Sequence, residues 1–354
     1  MATVPLFLSV IPAGAPPVKD FATGIYVWDT TGTSPVSASN PMMTNADVDG
    51  FRLKIRWRDI QTAAATFDWS RIDDSITNCN ANGKKLLLSV SAGVNAPDWI
   101  FTNHGGTCTP FNCQTPGGNG TMPLSFEAAY QTLWDAFIAL LATKYDGNTT
   151  ITGMYNTGKG EQSLEFFVCP GNATDIANYE TAALAAGFTD TGFGAKSNAL
   201  RSGANHVMAT WNTAFIKTPI YFTTAKPWGT GTNNAASNAD LNTLLSTWKS
   251  YGNMRGDCSE QFHATPAPHA DTGLVLGYAH AQECVDFFDN SLGLGIYRQP
   301  WPNPFPDIDT VLTDATEAAY DEGCQNLTIF QPSMTGLNQT ILHTQRLKLI
   351  DNLS

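Results

Sequence analysis

Short apolar, β-branched runs alternate with longer segments of helical period along almost the whole chain, and this alternation is the strongest constraint on its fold. Repeated βα units of this kind build parallel sheets, because each strand must be returned to the same end of the sheet by a crossover helix. Eight runs read as strands: 24–28, 51–57, 85–90, 151–155, 219–224, 253–258, 272–279 and 326–330. Helices are predicted over 68–82, 126–145, 195–215, 240–251, 308–322 and 337–353. In the second strand Phe51, Leu53, Ile55 and Trp57 alternate with Arg52, Lys54 and Arg56, which gives it two different faces. Eight βα units in order satisfy a (β/α)8 TIM barrel, closed by right-handed crossovers without an exposed edge. The alternative is a doubly wound open sheet, but no Gly-x-Gly-x-x-Gly turn follows a strand and no phosphate-binding GxxxxGK[ST] loop occurs. No internal repeat or linker divides residues 1–354, so the expectation is an α/β single-domain barrel with long loops after strands three and four.

Composition narrows the function. With 19 Lys+Arg against 31 Asp+Glu the net charge is −12, which argues against a nucleic-acid partner, since such proteins carry a basic face. No apolar run approaches the ~18 residues of a membrane span, and the apolar stretch 5–10 lacks the basic flank and cleavage site of a signal peptide. Seven cysteines leave an odd count, and only Cys108 and Cys113 are close enough in sequence for a local staple across the Gly/Pro/Thr-rich loop 91–122. Few lysines and many Thr, Asn and Gly lean toward an extracellular or otherwise extracytoplasmic location. Oligomeric state is not legible.

Two segments go beyond pattern. Phe51 through Ile60, followed by Phe67, Asp68, Trp69, Ser70, Arg71 and Ile72, resembles the second βα unit of barrel glycoside hydrolases of the β-galactosidase and clan A type. Asn82 through Leu88, then Ala96, Pro97, Asp98, Trp99 and Ile100, is similar to their third strand and the loop after it. The match covers about residues 51–100. It departs from the family where Gln61 and Thr62 replace the usual Glu-Pro turn, and where Tyr155, Asn156 and Thr157 end strand four without an Asn-Glu pair. The resemblance implies O-glycoside hydrolysis of a poly- or oligosaccharide by two carboxylates, of the retaining type.

Barrel enzymes carry their chemistry at the carboxyl ends of the strands. Glu161, in the flexible turn after strand four, is the acid/base candidate, with Glu165 as its competitor in the same excursion. Glu283, after the expected strand seven, is the candidate nucleophile, and Glu260 after strand six is an alternative to it. Pyranose rings stack on aromatics while their hydroxyls take hydrogen bonds. Trp28, Asp29, Trp57, Asn95, Trp99, Asn156, Trp228, His263 and His280 lie at or just beyond strand ends, and with Glu260 they form the candidate substrate-binding set. A lone tryptophan can equally be core. His263, His269 and His280 raise a metal site, but no His-x-His follows strand one and no HExxH occurs, so no metal or cofactor is expected. The competing functional class is a barrel that has lost catalysis and binds glycans.

Overall fold

The computed structural model describes residues 19, 22–28, 34–115, 118–158, 173–189, 194–224, 243–244, 247, 254–259, 296–298, 313, 326–330 and 338–351. Strands β1 (Gly24–Trp28) and β2 (Gly50–Arg56) are followed by a one-turn helix α1 (Trp57–Ile60) and a short antiparallel pair, β3 (Gln61–Ala63) and β4 (Thr66–Phe67). Helix α2 (Ser70–Ala81) leads to β5 (Lys85–Ser91), a hairpin of β6 (Phe111–Thr115) and β7 (Gly118–Met122), and helix α3 (Ala128–Tyr145). Then come β8 (Ile151–Tyr155), α4 (Ala173–Ala185), α5 (Ala195–Ala214), β9 (Ile220–Thr224), β10 (Met254–Ser259), β11 (Ile296–Arg298), β12 (Asn326–Phe330) and a C-terminal helix, α6 (Gln339–Asp351).

Eight of these strands pair in parallel in the cyclic order β1, β12, β11, β10, β9, β8, β5, β2, closing a barrel. Seven of the eight coincide with the expected strands to within a residue or two. The seventh does not: the barrel position between β10 and β12 is filled by Ile296–Arg298, in register with Cys258–Ser259 on one side and Asn326–Thr328 on the other. The run 272–279 lies outside the described residues. A three-residue strand is too short to show a periodic pattern, whereas 272–279 has the apolar, β-branched composition of a buried strand.

Two cores are separated by the sheet. Odd residues of β2 (Phe51, Leu53, Ile55) and Leu86, Leu88 and Val90 of β5 face outward to the helices, where they join Ile72, Phe137, Leu141, Val207 and Trp211. Inside the barrel, Ala22, Tyr26, Leu87, Tyr155 and Tyr221 form a smaller aromatic cluster. Gly153 is required there, because a Cβ would lie 2.3 Å from the Tyr221 ring.

The start of β1 is tied to the entry of β2 by Asp49, the residue that precedes Gly50. Its carboxylate accepts from the Ile25 N–H at 2.9 Å and pairs with Arg346 of α6, whose Nε donates at 2.8 Å. Gly24 has φ +82°, and a Cβ there would stand 2.0 Å from Asp49 Oδ2. Gly24→Ala is therefore expected to cost about 1–3 kcal/mol, from strain at a left-handed position together with displacement of Asp49. A lowered urea midpoint would show it, and an unchanged one would mean that the β1 entry tolerates a Cβ.

The long segment after β5 is organised rather than open loop. Short 3-10 turns at Gly93–Asn95, Asp98–Ile100 and Thr102–His104 precede the β6–β7 hairpin. Phe111 of that hairpin packs edge-on against Tyr179 of α4 at 5.8 Å. The Glu127 carboxylate accepts from the Thr109 N–H and, at 2.6 Å, from its hydroxyl. Cys108 is a free buried thiol, so the staple to Cys113 is not formed. Burial pushes the Cys108 thiol up to about 12, with the Glu127 charge adding to it, which leaves it a poor nucleophile. Among the described residues no helix is long and apolar enough to cross a membrane.

Candidate active site

Strand alternation decides what reaches the barrel mouth. On β2, Arg52 and Lys54 point opposite to the outward Phe51, Leu53 and Ile55. The Arg52 side chain is fully buried. Its guanidinium carbon stands 4.1 Å from the centre of the Tyr155 ring and 5.1 Å from that of Trp28. Lys54 Nζ lies 6.0 Å from the Trp28 ring. Trp28 and Tyr155 are the last residues of β1 and β8. A cation from the body of β2 is thus held against the rings that end two other barrel strands, β1 and β8, a geometry in which the ring quadrupoles favour positive charge. Beside it, Ser89 and Ser91 of β5 donate to the carbonyls of Leu53 and Ile55 at 3.2 and 3.4 Å, fixing the two strands' ends together.

The exit of β8 is clamped from outside. Thr157 donates its hydroxyl to the Val90 carbonyl, and its own carbonyl accepts from Trp211 Nε1 at 3.0 Å. The Gly158 carbonyl accepts from the Tyr130 hydroxyl at 2.8 Å. Gly158 has φ +97°, and a Cβ would meet the Trp134 ring at 2.5 Å. Helices α3 and α5 therefore fix the backbone three residues before Glu161.

Among the expected site residues, Trp28 stands half-buried at the mouth against Arg52. Asn95 and Trp99 are half-buried in the turns after β5, with Trp99 Nε1 donating to the Gln61 carbonyl at 3.1 Å. Two expectations are corrected. Trp57 is not at the mouth: it is fully buried in the helix-facing layer, 5.0 Å from the Trp134 ring and 5.4 Å from Phe137. Its parity with Phe51, Leu53 and Ile55 turns it away from the barrel axis. Asn156 likewise follows the inward Tyr155, so it is fully buried against α5, its amide donating to Met208 Sδ. Asp29, Glu161, Glu165, Trp228, Glu260, His263, His280 and Glu283 lie outside the described residues. The correction to strand seven does bear on Glu283, which precedes Ile296–Arg298 in the chain instead of following it. Glu260 directly follows β10.

Arg52 and Tyr155 are not among the expected site residues. The signal for Arg52 lies in the Arg52, Lys54, Arg56 alternation, since a strand face that carries cations toward a barrel interior has to meet something there. Gln61, where the sequence departs from the hydrolase pattern, holds the β2 exit in place. Its Oε1 accepts from Trp57 Nε1 at 2.9 Å and its Nε2 donates to the Ala64 carbonyl at 2.9 Å. A glutamate could accept the first bond but has no donor for the second. Among the described residues no group of three His, Cys, Asp or Glu side chains is placed to hold a metal ion.

No protein-family model matches the sequence, and no curated protein matches it. Solved structures do. The catalytic domain of a β-amylase from Paenibacillus polymyxa superposes with a TM-score of 0.63 at 12% identity, covering 95% of this chain and 100% of that one. A β-galactosidase from the psychrophilic Marinomonas ef1 gives 0.52 at 10% identity over 93% of this chain and 59% of its own. An endo-β-1,4-xylanase from Gloeophyllum trabeum gives 0.53 at 12% identity, over 96% and 98%. At such identities the likeness is one of fold, the closed parallel barrel described above.

Proposed function

We propose that the chain is a retaining glycoside hydrolase acting on a poly- or oligosaccharide, with residues 1–354 forming one (β/α)8 catalytic domain. The observation that carries this reading is the buried Arg52 of β2, whose guanidinium lies against Trp28 and Tyr155, the residues that end β1 and β8 on the side where barrel enzymes do their chemistry. A fixed cation there favours ionised carboxylates, and the half-buried Trp28 ring offers the kind of flat apolar surface a sugar needs. The solved structures of the same fold include a β-amylase, a β-galactosidase and xylanases, which supports a carbohydrate substrate without selecting one.

In this mechanism Glu161, or Glu165 in its place, protonates the leaving oxygen and then deprotonates the attacking water. A second carboxylate attacks the anomeric carbon from the opposite face. Retention requires the two to stand ~5–5.5 Å apart. Glu283 and Glu260 are the candidates for the nucleophile, and the position of Glu260 directly after β10 weighs in its favour. Trp28, Asn95 and Trp99, with Asp29, Trp228, His263 and His280, would line the subsites. The enzyme would work outside the cytoplasm and needs no metal or cofactor for this chemistry.

The test is turnover on a panel of polysaccharides and aryl glycosides, with released sugars identified by mass spectrometry and the anomer formed first by NMR. Glu161→Gln, Glu165→Gln, Glu260→Gln and Glu283→Gln are compared under the same conditions. One substitution after β8 and one of the other two are expected to lower kcat by at least ~10³-fold with thermal unfolding unchanged. Glycan binding with no product from the unsubstituted protein would overturn hydrolysis in favour of a binding role.

A further inference from the structure

The opposite end of the barrel gathers basic side chains around a cavity. A cavity of about 780 Å3 opens among the amino-terminal ends of β1, β2, β5, β8 and β9, and Lys19, Lys84, Lys85, Lys217 and Arg346 line it. These are five of the chain's 19 basic residues, gathered at one cavity in a molecule of net charge −12. Among the described residues the lining includes one carboxylate, Asp49, and it is bound on both oxygens by Arg346. The ammonium groups bind neutral oxygens instead. Lys84 is buried and donates to the Asn45 and Val48 carbonyls, each at 2.6 Å. Lys85 donates to the Thr149 carbonyl at 3.0 Å and Lys19 to the Thr218 hydroxyl at 2.6 Å.

Two further carboxylates act on these cations: Asp146 is taken up by backbone, accepting from the N–H groups of Ile216, Lys217 and Thr218, and Asp47, which acts on Lys84 and Arg346, pairs with His343 Nδ1 at 2.6 Å. Each ammonium has three donors, so Lys19 and Lys85 keep capacity toward the cavity, and the exposed Lys217 completes a positive rim. Cations this close repel one another unless an anion joins them.

We propose that this cavity binds a small multivalent oxyanion of the phosphate or sulfate type, held by Lys19, Lys85 and Lys217 above the fixed charges of Lys84 and Arg346. The electrostatics of Lys19 agree. Burial lowers it to about 8; Asp146 from the turn after α3 opposes that shift, and Lys217 before β9 and Lys85 of β5 add to it. Lys19 is thus partly deprotonated near pH 8, and an anion that favours its charged form is taken up together with a proton. For sulfate, whose own charge is constant here, binding is expected to be strongest below pH 8 and to weaken as the pH rises through that value.

Isothermal calorimetry of the full chain with inorganic pyrophosphate, inorganic phosphate and sulfate tests the site, with sodium chloride at matched ionic strength as the control. Saturable one-to-one binding of at least one oxyanion is expected, and the relative affinities of phosphate and sulfate identify the natural class. With sulfate, which does not titrate in this range, the enthalpy at pH 8 is expected to vary with the buffer's ionisation heat, and Lys19→Gln to remove that dependence. The double variant Lys85→Gln/Lys217→Gln changes two exposed side chains and so leaves folding intact. It is expected to weaken binding by about tenfold or more. Binding no stronger than chloride screening, or unchanged affinity in the double variant, would overturn the proposal. Neither readout depends on glycoside turnover.

Discussion

Replacing Trp57 by alanine is expected to lower the unfolding free energy by about 3–5 kcal/mol, the range for truncating a large buried aromatic. The side chain has no exposed surface, and three rings of α3 surround it: Trp134 at 5.0 Å, Phe137 at 5.4 Å and Tyr130 at 6.3 Å. Its indole N–H also holds Gln61, which in turn fixes the β3–β4 turn through Ala64. Truncation would open a cavity between the barrel and α3 and leave the Gln61 oxygen without that donor. Trp57→Phe keeps most of the packing and loses the bond, so its cost is expected nearer 1–3 kcal/mol. Urea unfolding measures both. The same pair separates two roles for the residue, because a sugar platform would raise KM in Trp57→Phe whereas a core residue leaves KM alone. A raised KM at unchanged stability would return Trp57 to the cleft.

The resemblance over 51–100 proves to be structural more than chemical. Asp68 accepts from the Ser70 N–H at 3.0 Å at the start of α2, and that bonding holds its carboxyl below the usual range. Trp69 stacks on Phe67 at 5.6 Å and on Phe137 at 6.1 Å, so the motif docks α2 onto α3. Arg71 reaches Asp59 at 3.3 Å, beside Arg56 at 2.7 Å, closing the turn below the β2 end. Phe67, Trp69 and Arg71 are half-buried and Ile72 fully buried, so the pattern of this segment reports the packing of α2.

The strands are legible for a related reason, since each is long enough to show its period. β11 is not, at three residues, and the cost falls on Glu283, whose expected role rests on the wrong strand end. Trp57 and Asn156 are misplaced by a different error. Position along a strand says which end of the barrel a residue is near, while parity says whether it faces the axis or the helices. Both residues sit at the right end with the wrong parity. Applied to β2, the same rule sends Arg52 inward, and that residue escapes notice in the sequence because a buried cation looks unfavourable until the rings that receive it are known.

Arg52 therefore carries the second large effect. Under the proposed hydrolysis, Arg52→Met is expected to lower kcat/KM by about 10²-fold or more, the scale of removing one preorganised electrostatic group from a site. Methionine matches the buried volume, and exchanging a buried charge for an apolar side chain of similar size is often neutral or stabilising. The unfolding midpoint should accordingly stay within a few degrees while turnover collapses. Arg52→Lys is expected to recover little, because the guanidinium is planar and lies against two rings, 4.1 Å from Tyr155 and 5.1 Å from Trp28, where an ammonium cannot stack. Tyr155→Phe keeps the ring and should retain most of the activity. Michaelis constants and pH profiles for the set distinguish the roles. If Arg52 sustains the ionised carboxylate of the pair, Arg52→Met raises the acid limb of kcat/KM, since that carboxylate then holds its proton to higher pH. Turnover near that of the unsubstituted protein in Arg52→Met would reduce the guanidinium to a filler of the barrel interior and remove the strongest structural support for catalysis at this mouth.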